Sequence, residues 1–228
     1  MSSTPLPIEY FSDVLCIWAY AAQTRVESIS ENFNDQVRLQ HRYISIFGHT
    51  AERIGEGWKD QGGYAGFNQH LQHVCEQFDD IQVHDDCWIK SPPTTSANAH
   101  LFLKAIQCLH PDEGGYPELV NTAAIKIREA FFKEARDISQ FDTLYAIAES
   151  LNIYPETLSR YIHNGQALAQ LCYDAELKEK YRIEGSPTFV LNEGRQKLYG
   201  NVGYKIINAN INELLNEAHQ SQGSLCGA

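Results

Sequence analysis

In the stretch FSDVLCIWAY, residues 11–20, a single cysteine, Cys16, follows an apolar run and precedes residues with helical spacing. A thiol at a helix N-terminus meets free N–H groups and the positive end of the helix dipole. Both favour the thiolate, and such a position can lower a cysteine pKa by one to several units from about 8.5. Where a C-x-x-C box would carry its second thiol stands Ala19. A lone thiol cannot close its own disulfide, so the sulfur that resolves any Cys16 adduct has to come from elsewhere. Trp18 and Tyr20 would offer a substrate flat apolar surface. The same neighbours would equally well surround a buried, inert strand-end cysteine.

A second feature is GSPTF, residues 185–189. Pro187 opens the strand-like run Thr188, Phe189, Val190, Leu191, a position that proline tolerates because it can begin a strand but not interrupt one. The small pair before it suits a cis X–Pro bond, which lies only about 0.5–1 kcal/mol above trans; a trans proline ending a loop is the alternative. Of the remaining cysteines, Cys172 falls on one helical face with Leu168, Leu171 and Ala175 and reads as core, as do Cys75 and Cys108; the spacing does not place Cys87. Cys226, in the polar end SQGSLCGA, is either a thiol able to reach Cys16 or a solvent-exposed bystander. His70, His73, Cys75, His84 and Cys87 give no paired-ligand pattern, so no metal is expected. His100 reads as either cleft-facing or packed. Trp58 and Tyr64 would line an apolar acceptor pocket or anchor their loop.

The elements that must position these residues follow from periodicity. Residues 7–12 read as a buried strand. Ala22, Val26, Ile29 and Phe33 mark one helical face, and VRLQHRYISIF alternates with period two as a second strand. Cys16 thus falls at the first strand–helix junction of a β-α-β unit. Residues 48–66, rich in Gly and polar groups, read as a long loop. Helical patterns then run without a strand from about 60 to 180: FNQHLQHVCEQF, SANAHLFLKAIQCL, PELVNTAAIKIREAFFKEA, a segment opened by a Ser139–Asp142 capping box, and one begun by Pro155. A further helix, two strands around Asn192-Glu193-Gly194 and a last helix bearing Ile207, Ile211, Leu214, Leu215 and Ala218 close the order. The class is α/β, with a sheet of about four strands.

Composition narrows the function. Of 228 residues, 43% are hydrophobic and 21% charged, the balance of an ordinary folded chain. Eighteen Lys and Arg against 29 Asp and Glu give 18 − 29 = −11, which opposes nucleic acid and anionic lipid. No apolar run is long enough to span a membrane, and the start has no signal-peptide pattern. Six cysteines without a C-x-x-C suit a reducing compartment. The reading is a soluble cytoplasmic protein that binds neither nucleic acid nor membrane.

Taken together, the segments YFSDVLCIWAY, TTSANAHLFLKAI, REAFFKEARDIS and IEGSPTFVLN resemble the DsbA family of thioredoxin-fold proteins. The likeness spans nearly the whole chain and is strongest to the cytoplasmic branch related to 2-hydroxychromene-2-carboxylate isomerases and kappa-class glutathione transferases. It implies a thioredoxin-like fold from residues 1–48 and 166–228, with an all-helical insertion at 49–165. It further implies a thiol-disulfide oxidoreductase with Cys16 as nucleophile and a groove formed by Trp18, Ser186, Pro187 and Thr188. Cys226 or glutathione would resolve the adduct. No tightly bound cofactor is implied; glutathione is the candidate co-substrate, and a small-molecule or protein thiol the partner. Relatives are often homodimers. Ala19, and Ile17 in place of the family's proline, depart from the dithiol pattern. Ala19 fits a glutathione-dependent transferase or isomerase better, and a non-catalytic binding module is the third reading.

Overall fold

A four-stranded mixed sheet carries the molecule in the computed structural model, which describes residues 4–78, 81–109 and 117–225, the last eight by backbone alone. β1 (Leu6–Ser12) pairs in parallel with β2 (Val37–Tyr43) and antiparallel with β3 (Thr188–Leu191), which pairs antiparallel with β4 (Gln196–Tyr199). The order is β2-β1-β3-β4. The register sets Ser12 opposite Tyr43 and Phe11 opposite Thr188, so the Cys16 turn and the Pro187 loop emerge at the same end of the sheet.

Alternation along β1 sorts its side chains between two layers. Leu6, Ile8 and Tyr10 pack on Val26, Ile29 and Phe33 of α2 (Gln23–Phe33) and on Ile207, Ile211 and Leu214 of α10 (Tyr204–Leu225). Phe11 faces the other way, onto Val190, Leu177 and Ile183. α1 (Ile17–Ala21) is a five-residue helix that starts directly after Cys16.

Between β2 and α9 (Gln166–Lys180) the chain is helical: α3 (Gly63–Cys75), α4 (Cys87–Lys90), α5 (Ala97–Gln107), α6 (Pro117–Phe132), α7 (Phe141–Ser150) and α8 (Pro155–His163). Their shared core includes Trp88, Phe102, Phe131, Phe132 and Leu144, and the residues of the Cys16 turn belong to it. The fold is therefore thioredoxin-like α/β with a helical insertion. Pro155 is the first residue of α8, where its missing N–H costs nothing.

Three local readings are corrected. Residues 48–66 are not a long loop: they contain a π-helical turn at Ala51–Glu56, a 3-10 turn at Lys59–Gln61 and the start of α3. The glycines permit close packing there; a Cβ on Gly66 would lie 1.7 Å from the Gln61 carbonyl oxygen. The Ser139–Asp142 capping box does not form, because the Ser139 hydroxyl donates instead to Asp137 Oδ1 at 2.6 Å and Gln140 occupies the cap. Cys172 is exposed rather than core, as is Leu168.

What α9 buries instead is Asp174. Its carboxylate accepts the Tyr43 N–H at 2.7 Å and pairs with Lys104 Nζ at 2.6 Å. Lys104 and Gln107 of α5 also donate to the His41 carbonyl, at 3.3 and 3.2 Å. These side chains satisfy backbone groups on the free edge of β2 and dock α5 and α9 against it. Burial lowers the Lys104 pKa to about 8, against the pull of Asp174.

Candidate active site

The site forms where β1 runs out. Asp13-Val14-Leu15-Cys16 makes a tight turn in which the Cys16 N–H donates to the Asp13 carbonyl at 3.1 Å. Cys16 then caps α1 in an extended conformation, φ −81° and ψ 116°. Its side chain is 6% exposed. The Sγ–H donates to the Ser186 carbonyl at 3.3 Å, and the Ser186–Pro187 bond is cis. Residues 170 positions apart in the chain thus meet at one thiol.

The helix start does not lower the thiol pKa in this buried state. Burial pushes it up from its ordinary value, and the charge on Asp13 adds to the rise; a hydrogen bond with Ser186 and the N–H groups of Ala19 and Trp18 oppose it without prevailing. α1 is too short, and Cys16 too well covered, for the dipole to win. The resting form is the thiol, its S–H donated to the Ser186 carbonyl.

Asp13 is the residue that single-position reasoning missed. It is fully buried, and its carboxylate accepts three hydrogen bonds: the Leu15 N–H at 2.9 Å, the Phe47 N–H at 2.8 Å and the Ser96 hydroxyl at 2.9 Å. Its own N–H donates to Ser186 Oγ at 3.0 Å. One side chain therefore ties the Cys16 turn to the segment after β2 and to the cap of α5, while its backbone fixes the Pro187 loop. Burial alone would raise its pKa, but His100 beside it and the Phe47 and Leu15 N–H groups hold it below the usual carboxylate range. The D-x-x-C spacing was the available signal.

His100 is packed rather than cleft-facing. It is fully buried, stacks on Tyr43 at 5.3 Å and accepts the Val14 N–H on Nε2 at 3.2 Å. Nε2 also lies 3.6 Å from Asp13 Oδ1.

The other residues separate by exposure. Trp18 is half-buried and meets Phe78 edge-on at 5.9 Å, beside the thiol. Ala19 is fully buried. Thr188, read from the sequence as a substrate contact, is 1% exposed and donates its hydroxyl to the Gly185 carbonyl at 2.8 Å. Its side chain holds the loop closed instead of facing a ligand. Tyr199, 60% exposed, covers Gly185, where a Cβ would fall 2.8 Å from its hydroxyl. Trp58 packs edge-on to Phe67 at 5.1 Å, and Tyr64 donates to Thr50 Oγ1 at 3.0 Å, so both anchor their segment. Cys87 is buried; Cys75 and Cys108 are half-covered. Cys226 lies outside the described residues. Among the described residues no three His, Cys, Asp or Glu side chains are grouped to hold a metal ion, and no helix is long and apolar enough to cross a membrane.

Comparison with solved structures finds this architecture in a candidate protein disulfide isomerase from Nitrosomonas europaea (TM-score 0.71, 15% identity, 95% of this chain and 98% of that one). It recurs in the cytosolic disulfide reductase DsbM from Pseudomonas aeruginosa, solved with glutathione (TM-score 0.63, 19% identity, 85% and 90%). It is found again in a 2-hydroxychromene-2-carboxylate isomerase (TM-score 0.61, 12% identity, 94% and 98%). At these identities the likeness is one of fold. A search of curated proteins found no match. The sequence profile of the DSBA-like thioredoxin domain matches residues 7–212, from the start of β1 into α10. With that match over most of its length, and with Cys16 facing a cis Ser186–Pro187 bond at the sheet end, the chain belongs to the DSBA-like thioredoxin domain family.

Proposed function

We propose that the protein is a thiol-disulfide oxidoreductase that works through one cysteine. The observation that carries this reading is Cys16 Sγ at 3.3 Å from the Ser186 carbonyl, beside a cis proline, with Ala19 at the second-thiol position. An incoming disulfide R–S–S–R′ would displace the Ser186 contact and lie along the Gly185–Pro187 edge between Trp18 and Tyr199. Cys16 loses its proton to solvent as the pocket opens. Its thiolate attacks one sulfur, forming Cys16–S–S–R and releasing R′S⁻. A second thiol, glutathione being the candidate co-substrate, attacks the mixed disulfide and returns Cys16 as thiolate. No electrons are gained or lost overall: one disulfide and one thiol exchange partners. The cytosolic setting of DsbM and its glutathione, together with the acidic charge of this chain, support a cytoplasmic protein of the same habit, either monomeric or a homodimer.

A glutathione-dependent isomerase or transferase is the second reading, favoured by Ala19 and by the fold shared with 2-hydroxychromene-2-carboxylate isomerase. Incubation with oxidised glutathione, followed by intact-mass measurement and peptide mapping, separates the readings. Exchange chemistry gives one glutathionyl group on Cys16, removed by reduced glutathione and absent in Cys16→Ser. Glutathione binding with isomerisation or conjugation, but without the adduct, supports the second reading. No adduct and no turnover leave a binding module.

A further inference from the structure

We infer, on the exchange chemistry proposed above, that Arg25 selects the disulfide partner of Cys16: the free edge of its guanidinium takes a carboxylate of a small acidic thiol, the γ-glutamyl carboxylate when that thiol is glutathione. Arg25 lies in the first turn of α2. Its Nη1 donates to the Ala21 carbonyl at 3.4 Å and to Asn201 Oδ1. Both acceptors are neutral, and Arg25 makes no ion pair among the described residues. Its Nε and Nη2 make no hydrogen bond among them either. The hydrogens of Nε and Nη2 point along one side of the planar fork, an edge that grips both oxygens of a carboxylate. Pinning Nη1 fixes the plane and leaves that edge free.

The two anchors of Nη1 tie this edge to the thiol. Ala21 ends α1, the helix that Cys16 caps, and at 1.5 Å per residue the two positions stand about 8 Å apart. Asn201 follows Gly200, whose N–H donates to the Pro187 carbonyl at 2.9 Å. Pro187 in turn follows Ser186, whose carbonyl takes the Cys16 thiol. Contacts therefore run from Cys16 through the cis-proline loop to Asn201 and Arg25, and back along α1. The buried Tyr10 hydroxyl feels the charges of both Arg25 and Cys16, which keeps the two in one neighbourhood. Arg25 is half-buried and Asn201 exposed, within reach of a ligand from solvent.

The chemistry calls for a cation at that distance. When the Cys16 thiolate attacks oxidised glutathione, a Cys16–S–S–G bond forms, the G–S–S–G bond breaks and one glutathione thiolate leaves. The bound half then has its sulfur at Cys16. Its γ-glutamyl arm is about two residue lengths, or about 7 Å, long, and carries a carboxylate as far as Arg25. The chain's net charge of −11 and the Asp13 charge beside the thiol both repel such an anionic disulfide. Arg25 opposes that repulsion where the carboxylate arrives.

Rates of adduct formation on the full chain, read by acid quench and intact mass, test this. Two probes are compared: oxidised glutathione, and 2-hydroxyethyl disulfide, which is neutral and has no carboxylate. Arg25→Gln should lower the ratio of the glutathione rate to the neutral rate about fivefold, the scale of one half-exposed, charge-assisted carboxylate contact. Arg25→Lys, which keeps the charge without the two-pronged edge, should restore part of the ratio. If Arg25→Gln does not fold, Asn201→Ala, which frees one anchor of Nη1, should lower the ratio about twofold. Equal losses with both disulfides, or an unchanged ratio, overturn the role of Arg25 while leaving exchange at Cys16 standing. No adduct with either disulfide in the unaltered protein overturns the exchange chemistry and this role with it.

Discussion

Asp13 and Cys16 sit three residues apart, and the Asp13 charge makes ionisation of the thiol harder. Replacing Asp13 by Asn keeps acceptor capacity for the turn and removes a negative charge, so the pH midpoint for alkylation of Cys16 should fall. A midpoint that stays or rises would show that burial alone holds the thiol up. Asp13→Ala strands the buried N–H groups of Leu15 and Phe47 and should cost about 3 kcal/mol in denaturant unfolding. Ala19 offers a complementary test. Its N–H donates to the Cys16 carbonyl at 3.1 Å, in the first turn of α1. Ala19→Cys should create an internal disulfide, read as a loss of two hydrogens in the oxidised protein, and confer insulin reduction with a dithiol donor; an unchanged mass would show that the turn cannot close the bond. Cys16 itself was legible because its position depends on local sequence. Asp13 was not, because its partners lie 2, 34, 83 and 173 residues away and only the folded chain assembles them.

Helices α5 and α9 meet the sheet through charges rather than a continuous apolar seam. Lys104 and Asp174 are both fully covered and pair at 2.6 Å, while Arg42 reaches Asp174 at 3.3 Å and Glu9 at 2.6 Å. Lys104→Met leaves Asp174 short of its nearest cation and should destabilise the protein by about 3–5 kcal/mol, whereas Lys104→Met with Asp174→Leu should recover most of the loss. Equal losses in the single and double variants would assign the effect to the backbone groups of His41 and Tyr43 that these side chains satisfy. This arrangement explains the misreading of α9. Periodicity selects the apolar stripe Leu168, Leu171, Cys172 and Ala175, yet the buried positions include Ala167, Asp174 and Leu177. The existence of the helices was plain in the spacing of their apolar residues, but the face of a helix docked by an ion pair was not.

Over the whole molecule, the acid limb of stability should carry the mark of His41. Burial first, then the Arg128 and Lys104 charges, depress its pKa from 6.5 to about 3. The unfolded chain binds this proton and the folded chain does not, so stability is complete above pH 6.5 and is lost as pH falls toward 3. The loss from His41 should reach about 2 kcal/mol at pH 5, before carboxylates such as Asp13 begin to take protons. His41→Phe should flatten the curve between pH 6.5 and 5, and an unchanged slope would trace it to other groups. The split arrangement of the sheet has a consequence in time as well. The thiol is translated at position 16, but the carbonyl that covers it follows 170 residues later. At ordinary ribosomal speeds of about 5–20 residues per second, a nascent chain carries an uncovered cysteine for about 10–30 s. During that interval the thiol is uncovered, so a newly made molecule can leave the ribosome already carrying a mixed disulfide on Cys16.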